Sequence, residues 1–219
     1  MRHAALLVLA AACATAQTFT QRGFVELRFT GYPQAAAGDS GQAVGEALIR
    51  YEPAIKISQS LRLAAGFDAR TDTHRQARRD WRLAWQDRDT QRPAFSIRRL
   101  SAAYNRGGFT LELGKQFIRW GKADVLNPTD RFAPRDFLAV VDNEFLGVTA
   151  ARLTWERASE TVDVVYAPRF TPSRTPLLNQ RWVVLPESLR GVPLIDEGAV
   201  FPGGPQFGAR WNHVGRGFE

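Results

Sequence analysis

Apolar and polar residues alternate along segment after segment of this sequence. Val25, Leu27 and Phe29 oppose Glu26, Arg28 and Thr30, and Ala47, Ile49 and Tyr51 oppose Glu46, Arg50 and Glu52. Leu61, Leu63, Ala65 and Phe67 face away from Arg62 and Asp68. The same pattern places Leu100, Ala102 and Tyr104 on one face, then Phe109, Leu111 and Leu113 opposite Thr110, Glu112 and Gly114. Ala151, Leu153 and Trp155 oppose Arg152 and Thr154; Val162, Val164 and Tyr166 alternate with Asp163, Val165 and Ala167; and Gln206–Asn212 closes the series. A period of two is that of a half-buried strand, not of a helix. Pro53, which has no N–H to give to a ladder, predicts a bulge or the end of one register inside the second segment.

The connections between these segments are alternately long and short. The short ones are Ser58–Ser60, Asn105–Gly108, Arg157–Glu160 and His213–Gly217, and Asn-Arg-Gly-Gly is a strong hairpin signal. The long ones are Gly31–Gly41, Arg70–Pro93, Trp120 to about Phe145, and the proline-rich Pro168–Pro205. Strands that turn tightly at one end and loop widely at the other are expected of a transmembrane barrel entered from the periplasm. Tyr104 and Trp155 lie beside short turns, where an inner aromatic girdle would put them.

The N-terminus sets the compartment. Met1–Gln17 is a short basic start, an apolar run and the small-x-small triplet Ala14-Thr15-Ala16, so residues 1–16 are expected to be a cleavable signal peptide. A lipoprotein acylated at Cys13 is the rival, disfavoured because Ala10 stands where a lipobox usually has Leu. Cys13 is the only cysteine, so the mature chain would hold no disulfide and no cysteine-ligated metal. No later stretch is apolar and long enough for a transmembrane helix, so a membrane would be crossed by strands. The net charge of +7 comes almost wholly from arginine, since Lys56, Lys115 and Lys122 are the only lysines. Export argues against nucleic acid as the partner, while a preference for anions stays compatible with the charge.

These observations predict an all-β protein. Residues 17–219 are expected to form the N-terminal portion of an antiparallel outer-membrane β-barrel, an up-and-down meander of about eight strands. A ninth is expected to begin at Phe218-Glu219, so the barrel would be incomplete. Its lumen would be lined by Glu46, Arg50, Arg62, Glu112, Arg152 and Asp163. The alternative is an exported soluble β-sandwich that binds a carbohydrate or a protein partner, because alternation alone cannot tell lipid from a second sheet.

The segment Arg119–Phe137 breaks both periodicities. Arg119, Lys122, Arg131 and Arg135 interleave there with Asp124, Asp130, Asp136 and, further on, Asp142. Asn127-Pro128 starts a turn, and Asp130 is placed to cap a short helix at Arg131–Phe132. Mixed charge of this kind can fold inward and bond across a lumen. The functional reading is a constriction loop of Arg119, Lys122, Asp124, Asp130, Arg131, Arg135 and Asp136 that selects solutes by charge and size. The plainer reading is a loop braced to the wall by the same groups.

From Asp68 to Arg99 nine arginines face five aspartates, and Arg75, Arg78, Arg79, Arg82 and Arg88 sit with Trp81 and Trp85. That excess suits lipopolysaccharide phosphate as well as it suits a solvated loop with local Arg–Asp pairs. Enzyme signatures are sparse. His74 and His213 lack metal-ligand spacing, Ser173 and Ser188 lack a nucleophile elbow, and Asp72, Asp80, Asp87 and Asp89 do not form a calcium loop. No catalytic, cofactor or metal site is expected.

Trp120–Asp130 reads W-G-x-x-D-x-x-N-P-T-D, followed by Pro134-Arg135-Asp136. This pattern resembles porin-like outer-membrane barrels of largely uncharacterised function, and Tyr166–Pro186 resembles the loop that follows in those proteins. More broadly, the chain is similar to single-chain outer-membrane channels such as alginate-export porins. The resemblance implies an outer-membrane barrel of roughly twice this size, with outer-membrane lipid and lipopolysaccharide as its surroundings. It implies no particular solute, and it leaves homo-oligomerisation open. This chain departs from the pattern by ending early.

Overall fold

The computed structural model describes residues 18–36, 39, 41–121, 130–140, 142–183, 186–189, 192, 195 and 198–215. The expected signal peptide, Lys122, Asp124, the Asn127-Pro128 turn and the ninth strand at Phe218-Glu219 lie outside these residues. The described chain is all-β: β1 (Thr18–Gly31), β2 (Ala43–Lys56), β3 (Leu61–Asp72), β4 (Leu83–Ala84), β5 (Phe95–Arg106), β6 (Phe109–Gln116), β7 (Arg135–Asp136), β8 (Glu144–Phe145), β9 (Val148–Arg157), β10 (Glu160–Ala167) and β11 (Gln206–His213). One 3-10 turn at Glu187–Leu189 is the only helical element among the described residues.

Eight long strands make one antiparallel meander in the order β1-β2-β3-β5-β6-β9-β10-β11. β7 and β8 form a separate two-stranded piece. Each long strand pairs with its neighbour in sequence, and the connections alternate as the sequence predicts. Tight turns join β2 to β3, β5 to β6 and β9 to β10, while the opposite end carries long loops 1 (32–42), 2 (73–94), 3 (117–147) and 4 (168–205). At Gly107-Gly108 both residues have positive φ, 56° and 83°, the twist that lets Arg106 pair directly with Phe109. The sheet is open among the described residues: β1 and β11 are its edges, and no pairing joins them into a closed barrel.

The bulge expected at Pro53 is elsewhere. β1 and β2 stay in one register through Gln21↔Pro53, and β2–β3 pairing keeps the same register on both sides of the proline, from Tyr51↔Phe67 to Ala54↔Ala64. Proline interrupts the β3 ladder locally without shifting it. The register slips instead between Gly66↔Arg99 and Phe67↔Ile97, which makes Arg98 the extra residue. Farther along, Gly114 has φ +113°, and a Cβ there would stand 2.3 Å from the Leu100 carbonyl oxygen. β5–β6 pairing ends one residue later at Leu100↔Lys115, and β4 takes the vacated edge through Leu83↔Phe95 and Ala84↔Ser96, in parallel.

Register divides the side chains between two faces. One face is apolar and uncovered: Leu27 is 80% exposed, Phe29 77% and Phe207 72%, and Ile49, Leu113, Leu153 and Tyr166 continue it. Near the tight turns, Phe109 pairs with Trp155, Trp155 with Val162 and Val162 with Trp211, a line of three aromatics and one valine across four strands. At the loop end Trp81 stacks on Phe95 at 5.4 Å. The other face carries charge, and the loops are packed on it.

Candidate functional site

Glu46, Arg50, Arg62, Glu112, Arg152 and Asp163 all share the charged face. The register sets them there, because Val25↔Ile49, Tyr51↔Phe67, Leu113↔Ala151 and Leu153↔Val164 keep the apolar partners together on the other side. Arg50 grips Asp68 with two parallel bonds of 2.7 and 2.8 Å, the geometry in which guanidinium and carboxylate match best. Arg152 Nε bonds Asp163 Oδ1 at 2.8 Å, and the Thr154 hydroxyl donates to the same oxygen at 3.0 Å. Glu112 accepts from Arg99 at 2.9 Å and from Ser101 at 2.7 Å, while Glu46 accepts from Arg92 at 3.2 Å. Arg62 is exposed and has no ion-pair partner among the described residues.

Loop 3 lies on this face and is held at both ends of the sheet. On the β10–β11 side, Trp120 donates its indole N–H to Asp163 at 2.8 Å, and the Trp120 carbonyl accepts from Arg210. Phe132 packs edge-on against Trp120 at 5.2 Å, within a buried cluster of Ile118, Val148, Ala150, Val165 and Ala167. Gly208 makes room for both rings, since a Cβ there would meet Phe132 Cε2 at 2.5 Å and Trp120 Cη2 at 3.0 Å. On the β1–β3 side, Asp142 accepts from Arg28, and Glu144 accepts from Arg50 at 3.0 Å and from Arg70. The loop therefore bridges the inner surface from one edge strand to the other.

The individual loop residues sort by what they touch. Asp130 does not cap a helix. Residues 131–132 form a turn, and its Oδ1 instead accepts from the backbone N–H of Trp120 at 2.7 Å and of Gly121 at 2.6 Å. Both amides need an acceptor, and the Asp130 carboxylate supplies it. The guanidiniums of Arg119 and Arg135 both lie 4.3 Å from the Phe145 ring centroid, and Arg135 also donates to Asn143 at 2.7 Å. Arg131 is exposed. Asp136 is buried at the centre of the loops.

Around Asp136 runs a chain of charges that the sequence did not disclose. Lys115 Nζ meets Asp87 at 2.6 Å, Asp87 meets Arg174 at 2.7 Å, and Arg174 meets Asp136 at 3.0 Å. Arg92 then holds both oxygens of Asp136, at 2.9 and 3.1 Å. The backbone reinforces it: Phe137 N–H donates to Arg174 O at 3.0 Å, and Arg174 N–H to Arg135 O at 2.9 Å. Loops 2, 3 and 4 are thereby tied together. Burial alone would push the Asp136 carboxyl up, but Arg92 and Arg174 outweigh it and hold it below its ordinary value. Asp87, Arg92, Glu144 and Arg174 were not among the expected site residues. Their partners lie tens of residues away, and no periodicity links them.

The arginine- and tryptophan-rich loop 2 is engaged in part: Arg75, Arg79 and Arg82 are exposed, while Arg78, Arg88 and Trp85 are held. Arg78 pairs with Asp89 at 2.8 Å and Asp80 at 3.6 Å, and Arg88 donates to the carbonyls of Phe170, Phe201 and Pro202 in loop 4. Asp72 accepts from the backbone N–H of His74, Gln76 and Ala77. Trp85 donates to Thr149 at 3.1 Å, while Trp81 stays 90% exposed.

Glu144 makes the loop's attachment sensitive to acid. Burial acts to raise its carboxyl, yet Arg70, Arg50 and Arg98 hold it down, from 4.5 to about 2. A depressed carboxylate stabilises the fold above its unfolded value, and that contribution is lost as pH falls through the folded one. The folded chain is therefore expected to lose stability between pH 4.5 and about 2. The urea midpoint of Glu144→Gln should change less across the same window, while starting lower at neutral pH. Parallel pH curves for the two proteins would contradict this attachment.

Among comparisons with known proteins, no family model matches this chain, and no curated protein and no solved structure is significantly similar to it.

Proposed function

We propose that this chain is wall and internal plug of a porin-like outer-membrane channel, which passes solutes passively or with selection. The single observation that carries the reading is the two-faced sheet. Among the described residues no second layer packs on the broad apolar face, while the opposite face holds ion pairs and the loops. A soluble sandwich would cover its apolar face with another sheet. Lipid covers it without one. The aromatic line at Phe109, Trp155 and Trp211 fits the inner interface, and Trp81 with Phe95 fits the outer one. In that setting the open edges of β1 and β11 pair with further strands, because an unpaired edge cannot face hydrocarbon.

Loop 3 is the constriction element in this reading, with Arg119, Lys122, Arg131 and Arg135 supplying positive charge and Asp124, Asp130 and Asp136 opposing it. Of the expected lining residues, Glu46, Arg62, Glu112 and Arg152 face the path, whereas Arg50 and Asp163 are buried and brace loop 3 through Glu144 and Trp120. The partners are outer-membrane lipid and lipopolysaccharide, and the chemistry requires no cofactor.

Fractionation and bilayer recording test it together. The protein is expected in the outer membrane, extracted only by detergent, with heat-modifiable gel migration and discrete conductance steps. Arg131→Ala with Arg135→Ala is expected to shift ion selectivity toward cations. Recovery of the protein in the periplasm without detergent would overturn the reading in favour of the sandwich. Unchanged selectivity would confine loop 3 to bracing.

A further inference from the structure

Beside loop 3, on the charged face, a cavity of about 320 Å³ opens between β1, β2 and residues 138–142. Its size falls at the small end of ligand sites, and its wall is mixed in the way such sites are. Val140 and Trp182 supply open apolar surface over the buried Leu138, and Arg28, Glu46 and Asp142 supply charge. Val140 is 41% exposed and Trp182 is 36% exposed, so both keep apolar surface open to a ligand. Tyr32 stands edge-on to Trp182 at 6.3 Å, and the Arg181 guanidinium lies 3.4 Å from its ring centroid, which anchors that wall.

The charge count decides the ligand. Two carboxylates and one guanidinium line the space. That guanidinium is already shared, for Arg28 donates to Glu26 at 2.6 Å and to Asp142, and stands 4.0 Å from Glu46. Arg92, the other cation near Glu46, pairs with it at 3.2 Å and is shared with both oxygens of Asp136. Asp142 keeps 58% of its side chain open to solvent. Over the connected ion pairs among the described residues, Glu26, Glu46, Asp142, Asp136 and Asp87 face Arg28, Arg92, Arg174 and Lys115, so one negative charge is left over beside an apolar wall. An anion would meet Glu46 and Asp142 with no free cation to receive it. A sugar would leave its hydroxyls against Val140 and Trp182.

We propose that this cavity binds a small organic cation, an ammonium carried on an aromatic or branched alkyl body. The ammonium sits between Asp142 and Glu46, and the body lies against Val140 and Trp182. This goes beyond the channel reading and does not need it, because binding can be read without a pore.

The test is calorimetric titration of the full chain in non-ionic detergent at neutral pH. The probes are 2-phenylethylamine and 3-phenylpropionate, which share a ring and a short chain but carry opposite charges. The amine is expected to bind saturably at one site, at least about tenfold tighter than the carboxylate. Asp142→Asn should weaken the amine about tenfold, and Val140→Arg, which puts a cation into the cavity, should abolish it. Heat-modifiable migration of each variant verifies that it has folded. Equal affinity for the two probes, amine heat that only reflects uptake by detergent, or an Asp142→Asn titration like wild type would each overturn the site. A chain that binds the amine without conducting keeps this site and loses the channel; one that conducts without binding loses the site alone.

Discussion

Asp136→Ala is expected to destabilise the folded chain by about 3 kcal/mol, the low end of the range for breaking a buried ion pair by removing one partner. Asp136 is 4% exposed and answers two guanidiniums at once. Without it, Arg92 keeps Glu46 at 3.2 Å and Arg174 keeps Asp87 at 2.7 Å, so neither is stranded completely. That retained pairing is why the low end is expected. The cost should fall mainly on the loops, since no residue of the charge chain but Lys115 and Glu46 belongs to a long strand. Urea titration in detergent measures the loss, and limited proteolysis should cut loops 2 to 4 before the strands. A midpoint within about 0.5 kcal/mol of wild type would show that the charge chain is slack.

Gly208→Val should lift loop 3 from the wall without altering any residue of the loop. Its Cβ would enter the space of Phe132, whose ring is buried at 4% exposure and has nowhere to move. Overpacking of this kind costs about 1–3 kcal/mol. Here the cheaper escape is to release Trp120 from its 2.8 Å bond to Asp163. Tryptophan emission should shift to the red, and conductance should rise if the channel reading holds. Gly203→Ala is the control, because nothing lies within 4 Å of a Cβ there. An unshifted spectrum in Gly208→Val would mean that Phe132 and Trp120 do not seat the loop.

Period-two alternation and turn chemistry made the sheet legible: eight long strands, their faces and the tight turns all follow from the positions of Leu, Phe, Gly and Arg. The bulge did not follow. Its mark in the sequence is a phase slip, with apolar Phe95 and Ile97 out of step with Leu100, Ala102 and Tyr104 across Arg98-Arg99, whereas Pro53 draws attention and merely drops out of one ladder. The candidate site was half legible. Mixed charge in 119–137 marked loop 3, but nothing local connects Asp136 to Arg92 or Arg174, at separations of 44 and 38 residues. One missed residue did leave a trace: a glycine at an inward position of a strand, as at Gly208, often marks where other groups approach closely.

The contrast between wall and interior carries a consequence for assembly. Every long-strand pairing joins neighbours in sequence, so the sheet can grow hairpin by hairpin, each step closing a modest length of chain. The interior cannot. Arg88 reaches Pro202 across 114 residues, and Arg181 reaches Gln34 across 147, so the knot of loops closes only after the last strands have docked. The interior is then the last part to form and the first to open, and it can come apart while every strand keeps its partner.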